Sequence, residues 1–151
     1  MSEHSILIRW SKAAHLPAPG TYSRDHLAEY SNDTRIRVSA APEFHGTAAL
    51  ADPEQLLANA LASCHLLYFL ALCEGSGYTV ETYEDKATAL VEKLPEGGMG
   101  VTLITLRPSV TFSGEKQPSA QALHRLHERA HKGCFIANSV KSAVRIDLGE
   151  E

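Results

Sequence analysis

Between Asp52 and Cys73 the chain reads Asp-Pro-Glu-Gln-Leu-Leu-Ala-Asn-Ala-Leu-Ala-Ser-Cys-His-Leu-Leu-Tyr-Phe-Leu-Ala-Leu-Cys, and no other segment limits the possible folds as strongly. Asp52 is placed to cap a helix, Pro53 suits the first helical position, and Glu54 faces the positive end of the helix dipole. The run then stays almost wholly apolar up to Gly75 or Gly77, which predicts a long helix buried on nearly every side. Asn59, Ser63 and His65 interrupt it, so it reads as a core helix rather than a membrane span. One sheet in a chain of 151 residues would cover about half of such a helix, and a second subunit is expected to cover the rest.

Elements of both kinds flank this helix. Ser5–Trp10 and Arg35–Ser39 read as short strands, and the Pro-, Gly-, Ser- and Asp-rich stretch between them reads as a long loop carrying Tyr22-Ser-Arg-Asp-His26. A loop of that length is more often functional than idle. Tyr78 to Lys93 reads as a strand, Leu94 to Gly100 as a turn, and Val101 to Phe112 as the return strand of a hairpin. Ser119 to His131 has helical spacing, with Gly133 ending the helix and Cys134 just beyond it, and Ser142 to Leu148 is a weakly signalled last strand. The pattern is α+β, with residues 1–151 expected to form one domain.

The formal net charge is −4 without any Lys/Arg run, which argues against a nucleic-acid or anionic-membrane partner. Met1 to Trp10 lacks the basic and apolar segments of an export signal, so a cytoplasmic location is expected. Three cysteines are an odd number for a disulfide framework, and in a reducing compartment any disulfide would be transient.

A thiol within an apolar helix, as at Cys64, is either inert packing or a nucleophile held in a dry pocket. Cys73 has no histidine or arginine beside it and is assigned no role. Cys134 follows a turn with His131 and Lys132 just upstream, a setting that can stabilise and expose a thiolate. If the fold brings Cys64 and Cys134 together, they are a redox pair. Glu54 alone implies only dipole compensation. His124, His127 and His131 fall at i, i+3 and i+7, and His127, His131 and Cys134 have a spacing a metal could use, although no second cluster supplies the other ligands. His65 points about 100° away from Cys64 on the helix and cannot be assumed to act as its base. The sequence has no Gly-rich phosphate loop and no G-x-S-x-G elbow.

Together, Pro53-Glu-Gln-Leu-Leu-Ala-x-Ala-Leu-Ala-x-Cys64, Ala130-x-x-x-Cys134-x-x-x-x-Ser139 and Ser23-Arg-Asp25 resemble the organic hydroperoxide resistance and osmotically inducible protein C family, the Ohr/OsmC family, over nearly the whole chain. The resemblance implies an OsmC-like fold in an intertwined homodimer, with antiparallel sheets around paired, buried central helices and active sites at the subunit boundary. It also implies cofactor-free, thiol-dependent reduction of organic hydroperoxides. In that scheme Cys64 attacks, Cys134 resolves, and Arg24 favours the thiolate and holds the peroxide with Glu54 as its carboxylate partner. A dithiol, in relatives commonly a lipoyl group, then reduces the disulfide. Ten helical residues rise about 15 Å and turn about 1000°, so Glu54 and Cys64 do not share a face, and Glu54 must reach Arg24 round a bend or from the partner subunit. Phe135 to Asn138 replaces the Pro-Tyr-Ser that follows the second cysteine in the better-known peroxidase branch. The competing expectation is a non-catalytic or metal-binding relative that uses the dimer pocket for an apolar ligand.

Overall fold

The computed structural model describes residues 1–31 and 33–149. The chain packs as two compact units, Met1–Leu56 and Leu57–Glu151. In the first, β1 (Ile6–Arg9), β2 (His26–Tyr30) and β3 (Arg35–Val38) form an antiparallel meander in that order. β2 lies inside the stretch expected to be loop. Its five residues bury only Ala28, too little alternation to register among the surrounding turn residues.

α1 (Pro53–Gly75) begins at the end of the first unit and runs through the second. Its start is a reciprocal cap: Gln55 N–H donates to Asp52 Oδ1 at 2.7 Å, and Asp52 N–H donates to Gln55 Oε1 at 3.1 Å. The helix buries one stripe, Ala58, Leu61, His65, Phe69 and Cys73, at intervals of three and four residues. Within the single chain the rest of the helix is less covered, with Leu67 66% exposed and Tyr68 also open, so burial on the remaining side would have to come from a second subunit.

Beyond α1 the expected hairpin is present, but each arm is broken once. β4 (Thr79–Asp85) pairs with β7 (Pro108–Ser113), and β5 (Thr88–Lys93) pairs with β6 (Met99–Leu106), both antiparallel. At the break, Asp85 Oδ1 accepts the Arg107 N–H at 2.7 Å, which satisfies a donor that leaves the ladder. The turn needs glycine at Gly97 and Gly98, whose φ values of 97° and 81° place both in the left-handed region. α2 (Ala120–Gly133) starts at Ser119, whose hydroxyl accepts the Ala122 N–H, and is followed by Cys134 as its C-cap. β8 (Ala143–Ile146) joins the edge of β6 in parallel.

Two clusters fill the second unit. Ala58, Leu61, Ile104 and Leu106 join α1 to the β5–β6–β8 sheet, while Phe69, Cys73, Leu126 and Ala130 join it to α2, with Tyr83, Val110 and Phe112 packed alongside.

Candidate active site

The second unit brings Cys64 and Cys134 together. Cys64 lies on α1 and is half-buried, whereas Cys134, at the end of α2, is fully buried. The Cys134 thiol faces the Leu61 carbonyl oxygen at 4.0 Å, one turn before Cys64 on α1, and the neighbouring Cys64 thiol acts on its ionisation. The turn after Cys134 folds back over its sulfur, with Ala137 N–H donating to it at 3.3 Å. Burial above all, and then the neighbouring Cys64 thiol, pushes the Cys134 thiol up to about 11, against the smaller opposing effect of the Ala137 and Ile136 amides. Cys134 therefore keeps its proton at neutral pH, and Cys64 is the less buried residue of the two. Cys73 lies nine residues further along α1, roughly 13 Å by helical rise, in the Phe69–Leu126–Ala130 cluster. Burial pushes its thiol up to about 11, in keeping with an inert core residue.

Two aromatic rings flank the pair. Tyr68, one turn beyond Cys64, meets Phe135 edge to face at 6.2 Å between centroids, and Phe135 is 72% exposed. Gly133 makes this possible: a Cβ there would come within 2.2 Å of the Tyr68 ring.

The histidine row does not converge on one point. His124 faces solvent, whereas His127 turns into the core, where its Nδ1 is 3.0 Å from His65 Nε2. Among the described residues no group of three or more His, Cys, Asp or Glu side chains is arranged to hold a metal ion. His65 does point away from Cys64, as its place on the helix requires, and it ends in this cross-helix pair. A partner 62 positions away leaves no trace in local spacing.

Arg24 and Glu54 belong to the first unit. Arg24 is held within its own loop, with Nη1 donating to Thr21 Oγ1 at 2.9 Å and to the Tyr22 carbonyl, and Cζ lying 4.2 Å from the Tyr22 ring centre. The loop is pinned on both sides. Trp10 Nε1 donates to the Ser23 carbonyl, and Asp25 Oδ1 accepts from Thr47 Oγ1 at 2.7 Å and Ser39 Oγ at 2.9 Å. Those hydroxyls, Thr47 first, hold the Asp25 carboxyl below its ordinary value. Asp25 is thus the anchor of the loop, a role sequence reasoning missed because its partners lie 14 and 22 residues away. Trp10, Tyr22, Arg24, His26, Ser39 and Pro53 line a pocket of about 380 Å³. Among the described residues neither Arg24 nor Glu54 takes part in an ion pair within 4.0 Å.

Residues 46–149 match the family described as OsmC-like protein, over more than half of the chain. The chain belongs to the OsmC-like family. It is 37% identical to an OsmC-like protein of unknown function from Vibrio cholerae, with a TM-score of 0.91 over 97% of this chain and 99% of that one. The uncharacterized protein YmaD of Bacillus subtilis is 26% identical over 112 residues, 74% of each chain. The organic hydroperoxide resistance protein OhrB of Bacillus subtilis shares the OsmC-like fold, with a TM-score of 0.71 over 98% of both chains, at 16% identity.

Proposed function

We propose that this OsmC-like protein is a cytosolic, thiol-dependent peroxidase of organic hydroperoxides, with Cys64 as the attacking and Cys134 as the resolving thiol. The observation that carries the reading is a half-buried Cys64 beside a fully buried Cys134, which reaches the Leu61 carbonyl one turn before it on α1. The organic hydroperoxide resistance proteins among its structural neighbours support it through the shared fold. The Cys64 thiolate attacks one peroxide oxygen, the O–O bond breaks, and the alkoxide takes a proton and leaves as an alcohol. Cys134 then attacks the resulting sulfenic acid. An S–S bond forms, hydroxide departs, and the Cys134 proton converts it to water. An external dithiol, a lipoyl group in this reading, supplies two electrons and two protons to restore both thiols.

Arg24 is the proposed guanidinium that favours the Cys64 thiolate and orients the peroxide, with Glu54 as its carboxylate partner. The test is hydroperoxide consumption by the reduced protein with dihydrolipoamide as reductant. Arg24→Ala removes both the cation that favours the thiolate and the donors that hold the peroxide. The rate should fall at neutral pH and recover only in part as pH rises, because the lost orientation is not restored by ionisation. Glu54→Ala should be a milder version of the same defect. A full rate for Arg24→Ala at neutral pH would remove this loop from the site.

The proposed assembly is a homodimer, since α1 leaves Leu67 and Tyr68 open along an otherwise apolar helix. Sedimentation at micromolar concentration should give twice the chain mass. A folded monomer at that concentration would refute the dimer.

A further inference from the structure

Cys64 and Cys134 are carried by different helices, so their approach depends on how α1 and α2 are held against each other. One tie is at the level of the cysteines, where the Cys134 thiol faces the Leu61 carbonyl oxygen. A second lies seven residues before Cys134 on α2, about 10 Å along the helix. There His65 Nε2 and His127 Nδ1 are 3.0 Å apart, with their ring planes parallel to within 1°. Both side chains are 1% exposed. Phe69 stacks on the face of His127 at 4.2 Å and 15°, which fixes the ring plane and with it the direction of the hydrogen bond.

Two other uses of these imidazoles are disfavoured. Burial pushes His65 down to about 4 and His127 down to about 3, so neither is a competent acceptor for a thiol proton held at about 11. The facing nitrogens are spent on each other, which leaves them unable to ligate a metal together. A directional bond between neutral rings does what apolar packing cannot, since it selects one register and one rotation of the two helices.

We propose that His65 and His127 form a cross-helix latch that positions Cys64 against Cys134 and so sets how readily the pair closes to a disulfide. They are positioning residues: neither touches the reacting sulfurs. The latch rests on the reading of Cys64 and Cys134 as a redox pair, whichever oxidant they meet.

The test equilibrates the full-length protein at neutral pH with mixtures of oxidised and reduced dithiothreitol. Closing the pair passes two electrons and two protons to the cyclic disulfide, and the Cys64–Cys134 fraction, read by mass spectrometry, gives the effective concentration of one thiol at the other. His65→Leu/His127→Leu replaces both partners with apolar groups of similar bulk, a change the fold is expected to tolerate. It should lower the effective concentration by about tenfold or more. His127→Asn carries an amide at the position of Nδ1 and should stay within about threefold of wild type, whereas His127→Gln carries it one atom too far and should fall with the double variant. The Asn and Gln pair answers the question even if the double variant does not fold. Equal values for Asn and Gln, or a folded double variant as good as wild type, would overturn the latch alone. A wild-type protein that closes no Cys64–Cys134 bond under these conditions would overturn the redox pair itself.

Discussion

Cys64→Ser should reduce hydroperoxide consumption to the rate seen without protein, the largest effect of any single substitution in this chain. Serine is nearly isosteric, but its hydroxyl is not ionised near neutral pH, so the attacking anion is lost while the packing of α1 is kept. Cys134→Ser should behave differently. The first turnover should proceed at close to the normal rate, and Cys64 should then accumulate as a sulfenic acid, trappable by dimedone, because the neighbouring thiol that condenses with it is missing. Cys73→Ser should leave turnover unchanged, since Cys73 belongs to the Phe69–Leu126 cluster, although it places a hydroxyl in an apolar site and should cost about 1–3 kcal/mol of stability. Sustained turnover by Cys64→Ser would move the chemistry to another residue.

The second large effect is on stability in acid. His65 and His127 are buried as neutral rings, with His131 beside the first and His124 beside the second. Burial holds their folded-state values at about 4 and about 3, below the ordinary value of 6.5. A lowered histidine pKa means that the unfolded chain binds more protons below pH 6.5. The stability is therefore fully present above 6.5 and is lost as pH falls toward 4 and 3. Each imidazole contributes a slope of up to about 1.4 kcal/mol per pH unit, and together they should remove on the order of 3–5 kcal/mol between pH 7 and pH 4.5. That is a large share of the roughly 5–15 kcal/mol of a typical domain. The window lies mostly above the range in which ordinary carboxylates titrate, but burial raises the Asp85 carboxyl toward it, so the difference between wild type and the double variant is what isolates the two rings. His65→Leu/His127→Leu should flatten the curve without a comparable loss at pH 7. An unchanged slope in that variant would show that the acid sensitivity comes from elsewhere.

What could be read from the sequence followed the strength of local signals. Asp52, Pro53 and Glu54 announced the start of α1, and Ser119 and Gly133 bracketed α2, because capping is a property of a few adjacent residues. The hairpin was legible for the same reason, through the glycines of its turn, but its break at Lys86 and Arg107 was not, since the apolar alternation runs on across it. β2 was missed where a short strand with one buried side chain lies among turn-forming residues. The family resemblance supplied the cysteine pairing, and the structure brings those two sulfurs together. Arg24 and Glu54 came from the same resemblance and have no mutual ion pair among the described residues. Two features had no sequence signal at all: the Asp25 anchor and the His65–His127 latch. Both join positions far apart in the chain, and only the packed elements define them.

The most direct measurement is peptide mapping after one equivalent of cumene hydroperoxide is added to the reduced protein. The expected result is one disulfide within a single chain, Cys64 to Cys134, with Cys73 still free to react with an alkylating reagent once the protein is unfolded. A bond that includes Cys73, or consumption of the hydroperoxide with all three thiols still free, would contradict the assignment of Cys64 and Cys134 as the redox pair.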